Sequence, residues 1–154
     1  MMKEKVKIRK VRKEDLKQYL GLVRKSNIEY SNIIGEKIKT NDKQIKKSFD
    51  ETLSSNKKLL LIAEKNKEIF GYLTASFIIS DYQRTGYIDY FFVSKKERRK
   101  GIGELLIKEF INYSKKRKIK KIRLSVNLKN KLAIKFYKHL DFEIKHYELE
   151  KRIK

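Results

Sequence analysis

The run Gly86-Tyr87-Ile88-Asp89-Tyr90-Phe91-Phe92-Val93 is apolar on nearly both faces of an extended strand and holds a single carboxylate. Such a strand needs cover on each side, so it belongs at the centre of a layered domain rather than in a one-sided sheet or a helical bundle. It continues through Ser94-Lys95-Lys96-Glu97-Arg98-Arg99-Lys100 into a helix expected over Gly101 to Lys118, with Ile102, Leu105, Leu106, Phe110 and Ile111 facing inward. Three cations in a row just before a helix start are unfavourable alone, because that end already carries unpaired N–H groups and about half a positive charge. A bound anion would neutralise both, and Gly101 and Gly103 would let the backbone approach phosphate oxygens. The Walker pattern is missing, and a dinucleotide fold would place its glycine turn after the first strand.

The rest of the chain supplies the layers. Val6, Ile8 and Val11 read as a first strand, and Glu14 and Asp15 open a helix with Leu16, Tyr19, Leu20 and Val23 inward. Residues 25–40 are polar and less regular. Asn41 or Asp42 caps a helix carrying Ile45, Phe49 and Leu53. Leu59 to Glu64 and Ile69 to Ile79 form a hairpin turning at Lys65 to Glu68. Lys121 to Asn127 alternates as a half-buried strand, Asn130 caps a helix with Ala133, Phe136, Tyr137 and Leu140 on one face, and Phe142 to Leu149 reads as a last strand. The order is β-α-α-β-β-β-α-β-α-β, one α+β domain over residues 1–154.

Composition excludes several functions. No Cys is present and His139 and His146 are the only histidines, so thiolate chemistry and a metal site are not expected. Neither a membrane span nor a secretory leader is visible, and a cytoplasmic protein is expected. The net charge of +22 invites a nucleic-acid partner, but 32 Lys against 9 Arg, with Ile the commonest apolar residue, also fits a compositional bias. The charge is uneven: residues 95–121 hold twelve Lys and Arg against three Glu, around the glycine loop. That density fits a small polyanion at least as well as a duplex.

Arg98-Arg99-Lys100-Gly101-Ile102-Gly103 resembles the Arg/Gln-x-x-Gly-x-Gly/Ala signature of the GNAT acetyltransferase superfamily. Asn130 to Phe142 is similar to the same family's Asn-x-x-Ala-x-x-x-Tyr-x-x-x-Gly-Phe segment, with Asp141 standing where Gly is usual. The substitution falls where a left-handed backbone is favoured, which Asp tolerates better than most residues. The resemblance implies a GNAT fold with a mixed, mostly antiparallel sheet, acetyl-CoA as co-substrate, no metal, and transfer of acetyl directly to an amine. It implies a pyrophosphate cradle from Arg98, Arg99, Lys100, Gly101, Ile102, Gly103 and Glu104, and a pantetheine arm paired with the strand near Phe91 and Val93. Asn130 is expected to contact that arm, to cap its helix, or to do both.

Two residues are expected to carry protons. Asp89, the lone carboxylate of the central run, is the candidate base for the acceptor amine; alternatively it is a structural Asp bonded to a Tyr or Ser hydroxyl. Tyr137 is the candidate acid for the departing thiolate; alternatively it packs in the core, with Tyr87 and Tyr90 as substitutes. Protein N-termini or lysines are favoured as acceptors over polyamines or small-molecule amines, because the downstream motif also resembles that of ribosomal-protein N-terminal acetyltransferases. The rival is a non-catalytic basic module for nucleic acid. A monomer or a homodimer is expected.

Overall fold

A computed structural model describes residues 5–154. Strand β1 (Lys7–Lys10) leads through a 3-10 turn into helices α1 (Leu16–Ile34) and α2 (Asp42–Ser54). Strands β2 (Lys58–Lys65), β3 (Glu68–Ile79) and β4 (Arg84–Val93) follow, then helix α3 (Ile102–Lys116), strand β5 (Lys121–Leu124) and helix α4 (Lys131–His139). One five-stranded sheet runs in the order β1-β2-β3-β4-β5, antiparallel throughout except for the parallel β4–β5 pair.

Helices cover both faces of that sheet, as the two-sided apolar strand requires. On one face α1 and α2 seal Tyr19, Leu22, Phe49, Leu60, Ile62, Tyr72 and Phe92. On the other, α3 and α4 seal Leu61, Leu73, Phe77, Ile88, Leu106, Phe110 and Tyr137. The β2–β3 turn is closed by Asn66 and Lys67, both with positive φ (52° and 62°), the backbone that matches the twist of a two-residue hairpin. At the sheet edge the Arg9 guanidinium holds Asp15 at 2.8 and 3.0 Å and also pairs with Glu64, joining β1, β2 and the start of α1.

Three departures from the sequence expectation position the site. Helix α1 extends through residues 25–34, where Ser and Asn disfavour helix; there Ser31 Oγ bonds the Asn27 carbonyl (2.7 Å) and receives the Ile38 N–H (2.9 Å), tying the chain that leaves the helix back to its last turns. Strand β5 stops at Leu124 rather than Asn127, since its partner β4 has already diverged. The expected last strand, Phe142 to Leu149, is not formed: residues 142–154 carry no regular structure and pair with no strand.

Candidate active site

The β3–β4 register slips between Thr74 and Ala75: Thr74 faces Tyr90 and Ala75 faces Ile88, so Asp89 is an inserted residue. This bulge changes the alternation. Ile88 and Phe91 both point to the α3/α4 core, which leaves Asp89 and Tyr90 together on the α1/α2 side with Phe92. The β4–β5 ladder ends at the same place, at Ile88 opposite Leu124. Residues 89–93 thus have β3 on one side and no strand on the other, leaving an opening in the middle of the sheet.

The end of β4 delivers the chain into the basic loop. Arg99 (φ 64°) and Gly101 (φ 77°) are both left-handed, and Gly101 is the N-cap of α3. The Leu105 amide is the first to be taken by the helix, by the Gly101 carbonyl at 3.1 Å. The six amides from Arg99 to Glu104 donate to no acceptor among the described residues. Six consecutive free N–H groups at a helix N-terminus form a cradle suited to phosphate oxygens.

Gly103 is constrained by neighbours as well as by any ligand. A Cβ there would lie 3.1 Å from the ring ends of both Phe91 and Phe136. Those rings stack at 5.4 Å, and Tyr137 lies 6.1 Å from Phe91, 5.3 Å from Phe136 and 5.4 Å from Phe142 between ring centroids. The structure therefore brings Phe91, Gly103 and Tyr137 to one place, from β4, α3 and α4. Ile102 is buried beneath them and Val93 closes the strand against Gly71. Burial pushes the Tyr137 phenol well above its usual range, so it stays protonated near neutral pH and is a weaker acid than a solvated phenol. Asn130 caps α4, its Oδ1 accepting the Ala133 N–H at 3.2 Å. Asp141 has φ 63°, the left-handed backbone expected there, and the Phe142 amide closes back to the Tyr137 carbonyl at 3.0 Å.

Arg98 does not project from the cradle. Its Nε donates to the Val93 carbonyl (2.8 Å), its other nitrogens hold Glu29 of α1 at 2.6 and 2.7 Å, and its guanidinium lies 5.5 Å from the Phe92 ring. The cation expected to face a phosphate instead staples the loop to α1. Lys100 is exposed and pairs with Glu97 at 2.9 Å, Arg99 is exposed, and Glu104 lies 3.8 Å from His139.

Asp89 accepts a hydrogen bond from Ser76 Oγ at 3.1 Å, the structural alternative named above. Loss of hydration raises its pKa above the ordinary carboxylate value, against the opposing pull of that bond and of Lys58. Thr74, opposite the bulge, has a buried hydroxyl with no partner. Glu29, Thr74 and Ser76 escaped the sequence reading, whereas Phe136 stands where it was expected, on the helix face of Tyr137.

Helices on both faces of a sheet whose central strand opens beside a helix-end cradle set a candidate anion site next to a free strand edge. A family model described as the acetyltransferase (GNAT) family matches residues 26–142, and the chain belongs to that family. An uncharacterized N-acetyltransferase of Methanocaldococcus jannaschii, MJ1207, is 48% identical over 54 residues, 35% of this chain. The match spans 24% of that protein's length. The aminoglycoside acetyltransferase AAC(6')-Iy, solved with a CoA bisubstrate analogue, superposes with a TM-score of 0.81 at 19% identity, over 97% of this chain and 99% of that one. A transcriptional regulator from Bacillus halodurans superposes with a TM-score of 0.79 at 22% identity, over 97% and 100%. These likenesses share the α+β fold. No helix of the described residues is long and apolar enough to cross a membrane.

Proposed function

We propose that this chain is an acetyl-CoA-dependent N-acetyltransferase acting on an amine borne by a protein, an N-terminus or a lysine. The carrying observation is the coincidence of six unpaired amides at the start of α3 with a β4 backbone left open beside them. The amides from Arg99 to Glu104 would hold a pyrophosphate, and the open edge near Phe91 and Val93 would pair with an amide-containing arm. Bound acetyl-CoA supplies a thioester carbonyl.

The remaining chemistry belongs to side chains. A protonated amine has no lone pair, so Asp89 takes one proton before the nitrogen attacks the thioester carbonyl; the raised pKa makes the carboxylate a better acceptor near neutral pH. Tyr137, held protonated by burial, gives its proton to the sulfur as the carbon–sulfur bond breaks. The second proton lost by nitrogen as the amide forms returns, through water, to the Tyr137 phenolate, and release of the Asp89 proton to water restores the site, one proton in net. The absence of Cys supports direct transfer over an acyl-enzyme.

The acceptor reading rests on openness. Asp89 and Tyr90 lie exposed on β4, Tyr90 to 69%. Sites for small molecules bury most of their ligand, whereas an amine at the end of a chain needs only the last residues accommodated. The test is thiol release from acetyl-CoA with peptide α-amines, lysine peptides, spermidine and an aminoglycoside, with products located by mass spectrometry. Acetylated peptides are expected at the highest kcat/KM. Turnover confined to the small amines would overturn the acceptor assignment, and no turnover alongside salt-sensitive RNA binding would overturn the enzyme assignment.

A further inference from the structure

The dense basic block around the glycine loop divides in two in the folded chain. One part lies at the start of α3, beside the unpaired amides; the other lies at and past its end, about 22 Å away along a helix of 15 residues. An anion bound at the cradle cannot neutralise the second part. There Lys10 at the end of β1, Arg84 at the start of β4, Lys116, Arg117 and Lys118 around the end of α3, and Lys120 ahead of β5 gather at one end of the sheet. The Arg84 guanidinium donates to the Arg117 carbonyl at 3.1 Å, and the Lys120 amide donates to the Arg84 carbonyl at 2.9 Å.

Three of these cations crowd one ring: Lys10 Nζ, Lys116 Nζ and the Arg117 guanidinium stand 4.9, 5.6 and 5.7 Å from the centroid of Tyr113. The ring attracts each of them, but they repel one another. None of the six forms an ion pair among the described residues. A general surplus of lysine does not produce this, because it leaves carboxylates interspersed. Residues 41–94 hold eight Lys and Arg beside seven Asp and Glu, whereas no Asp or Glu occurs between Glu109 and Asp141. Like charges gathered without counter-charges from the chain itself are the footprint of a polyanionic partner. Beside them stands an aromatic ring clear of the surface. The Ser80 amide donates to the Gln83 carbonyl at 2.8 Å, closing the turn from β3 to β4, and Tyr82 within it is 100% exposed, two residues before Arg84. Next to phosphate-binding cations such a ring offers a face on which an unpaired base can stack. Bases inside a duplex are already stacked on their neighbours, so the ring favours a single strand.

We infer that this end of the sheet binds single-stranded nucleic acid, with its phosphates on the cations of β1, β4 and the α3–β5 connection and a base on Tyr82. The site lies across the domain from the cradle, so strand binding is additional to acetyl transfer and does not depend on it.

The experiment measures fluorescence anisotropy of labelled oligouridine, oligothymidine and an RNA duplex of the same length with the full chain, across a range of salt. The single strands are expected to bind more tightly than the duplex, and the tighter of the two identifies the natural strand. Changing Lys116, Lys118 and Lys120 together to Gln should weaken single-strand binding about tenfold or more and lower the salt slope by about 2, at roughly 0.7 per phosphate contact. Arg117 is left in place because its guanidinium packs on Phe77, at 4.7 Å. The control removes the same charge elsewhere: Lys17, Lys43 and Lys47, exposed on α1 and α2, changed to Gln should weaken binding about twofold or less. Tyr82→Ala should weaken single-strand binding about fivefold or more without altering the salt slope. All these side chains are exposed, so circular dichroism and the rate of acetyl transfer should stay unchanged. Equal losses from the two triple variants would reduce the binding to the diffuse field of a basic chain. Displacement of the strands by CoA would move them to the cradle, and displacement by phosphatidylglycerol vesicles that requires Tyr82 would make this face a membrane surface. Each of these results, or an indifferent Tyr82→Ala, overturns the inference, and none depends on whether the chain transfers acetyl.

Discussion

If Arg98 staples the loop to α1 rather than meeting a phosphate, Arg98→Ala should cost fold stability first and cofactor affinity second. The structure sets the size. The charged hydrogen bond to the Val93 carbonyl (2.8 Å) contributes about 1.5 kcal/mol. The ion pair with Glu29 is about a third exposed on each side (32% and 37%), so solvent screening holds it to about 0.5 kcal/mol despite its bidentate form. Contact with the Phe92 ring adds about 0.5 kcal/mol. A loss of roughly 2–3 kcal/mol lowers Tm by roughly 5–10 °C in a domain of this size.

Glu29→Gln keeps a hydrogen-bonding amide but deletes the charge, so it should lower Tm by roughly 2 °C or less. A double-mutant cycle isolates the pair, with a coupling of about 0.5 kcal/mol expected. Calorimetric titration with CoA completes the test: Arg98→Ala should weaken binding roughly tenfold through a loosened loop, and Glu29→Gln should weaken it in the same direction by less. The opposite pattern, an unchanged Tm for Arg98→Ala, a large loss of CoA affinity and no effect from Glu29→Gln, would refute the staple and return the guanidinium to the phosphate.

Gly103→Ala should destabilise the fold by about 1–3 kcal/mol and weaken CoA binding, because its methyl enters a 3.1 Å gap between Phe91 and Phe136; chemical denaturation and titration measure the two effects. Tyr137→Phe should lower turnover about 10- to 1,000-fold in single-turnover assays while CoA affinity holds within about twofold, since the ring still packs. Asp89→Asn should depress kcat/KM most at low pH, where the acceptor amine is charged, and the acid limb of the wild-type profile should lie above the range of an ordinary carboxylate. Burial opposes ionisation of Asp15, but its bonds from Arg9 and the Arg12 amide outweigh that and lower its pKa. The stability it gives is therefore complete above its unfolded pKa and lost as pH falls through the lower folded value; Asp15→Asn should cost about 2 kcal/mol at pH 7 and flatten the acid unfolding limb.

The central strand, the loop and the α3 start were legible because each is written in local chemistry: a two-sided apolar run, a cluster of cations, and glycines where the backbone must turn left-handed. Asn130 and Asp141 were legible for the same reason, as a cap and a left-handed exit. The bulge was not. Nothing in Tyr87-Ile88-Asp89-Tyr90 announces an extra residue, since the slip exists only relative to β3. The Arg98–Glu29 pair spans 69 positions and links a loop to a helix whose second half looked irregular, so the sequence grouped Arg98 with the phosphate loop and gave no sign of its partner. Residues 142–149 failed differently: their apolar residues predict a strand, but a strand also needs a partner, and no strand of the same molecule pairs with them.

One register slip organises the proposed chemistry. Without the bulge, strict alternation would place Asp89 and Tyr90 on opposite faces of β4, and the Asp89 carboxylate and Tyr90 phenol could not both line the α1/α2 side. The ladder to β5 ends at Ile88, the residue before the bulge, so the strand is open where its faces carry different roles. Tyr137 belongs to the α3/α4 core and Asp89 to the α1/α2 side; a proton taken on one face and a proton given on the other therefore meet only across the opened strand. On the proposed function, the sheet is a partition with one gap, where a thioester held at the cradle would meet an amine arriving from the exposed side. The staple from Arg98 to Glu29 ties the loop after β4 to α1, so a change in the position of either is felt by the other.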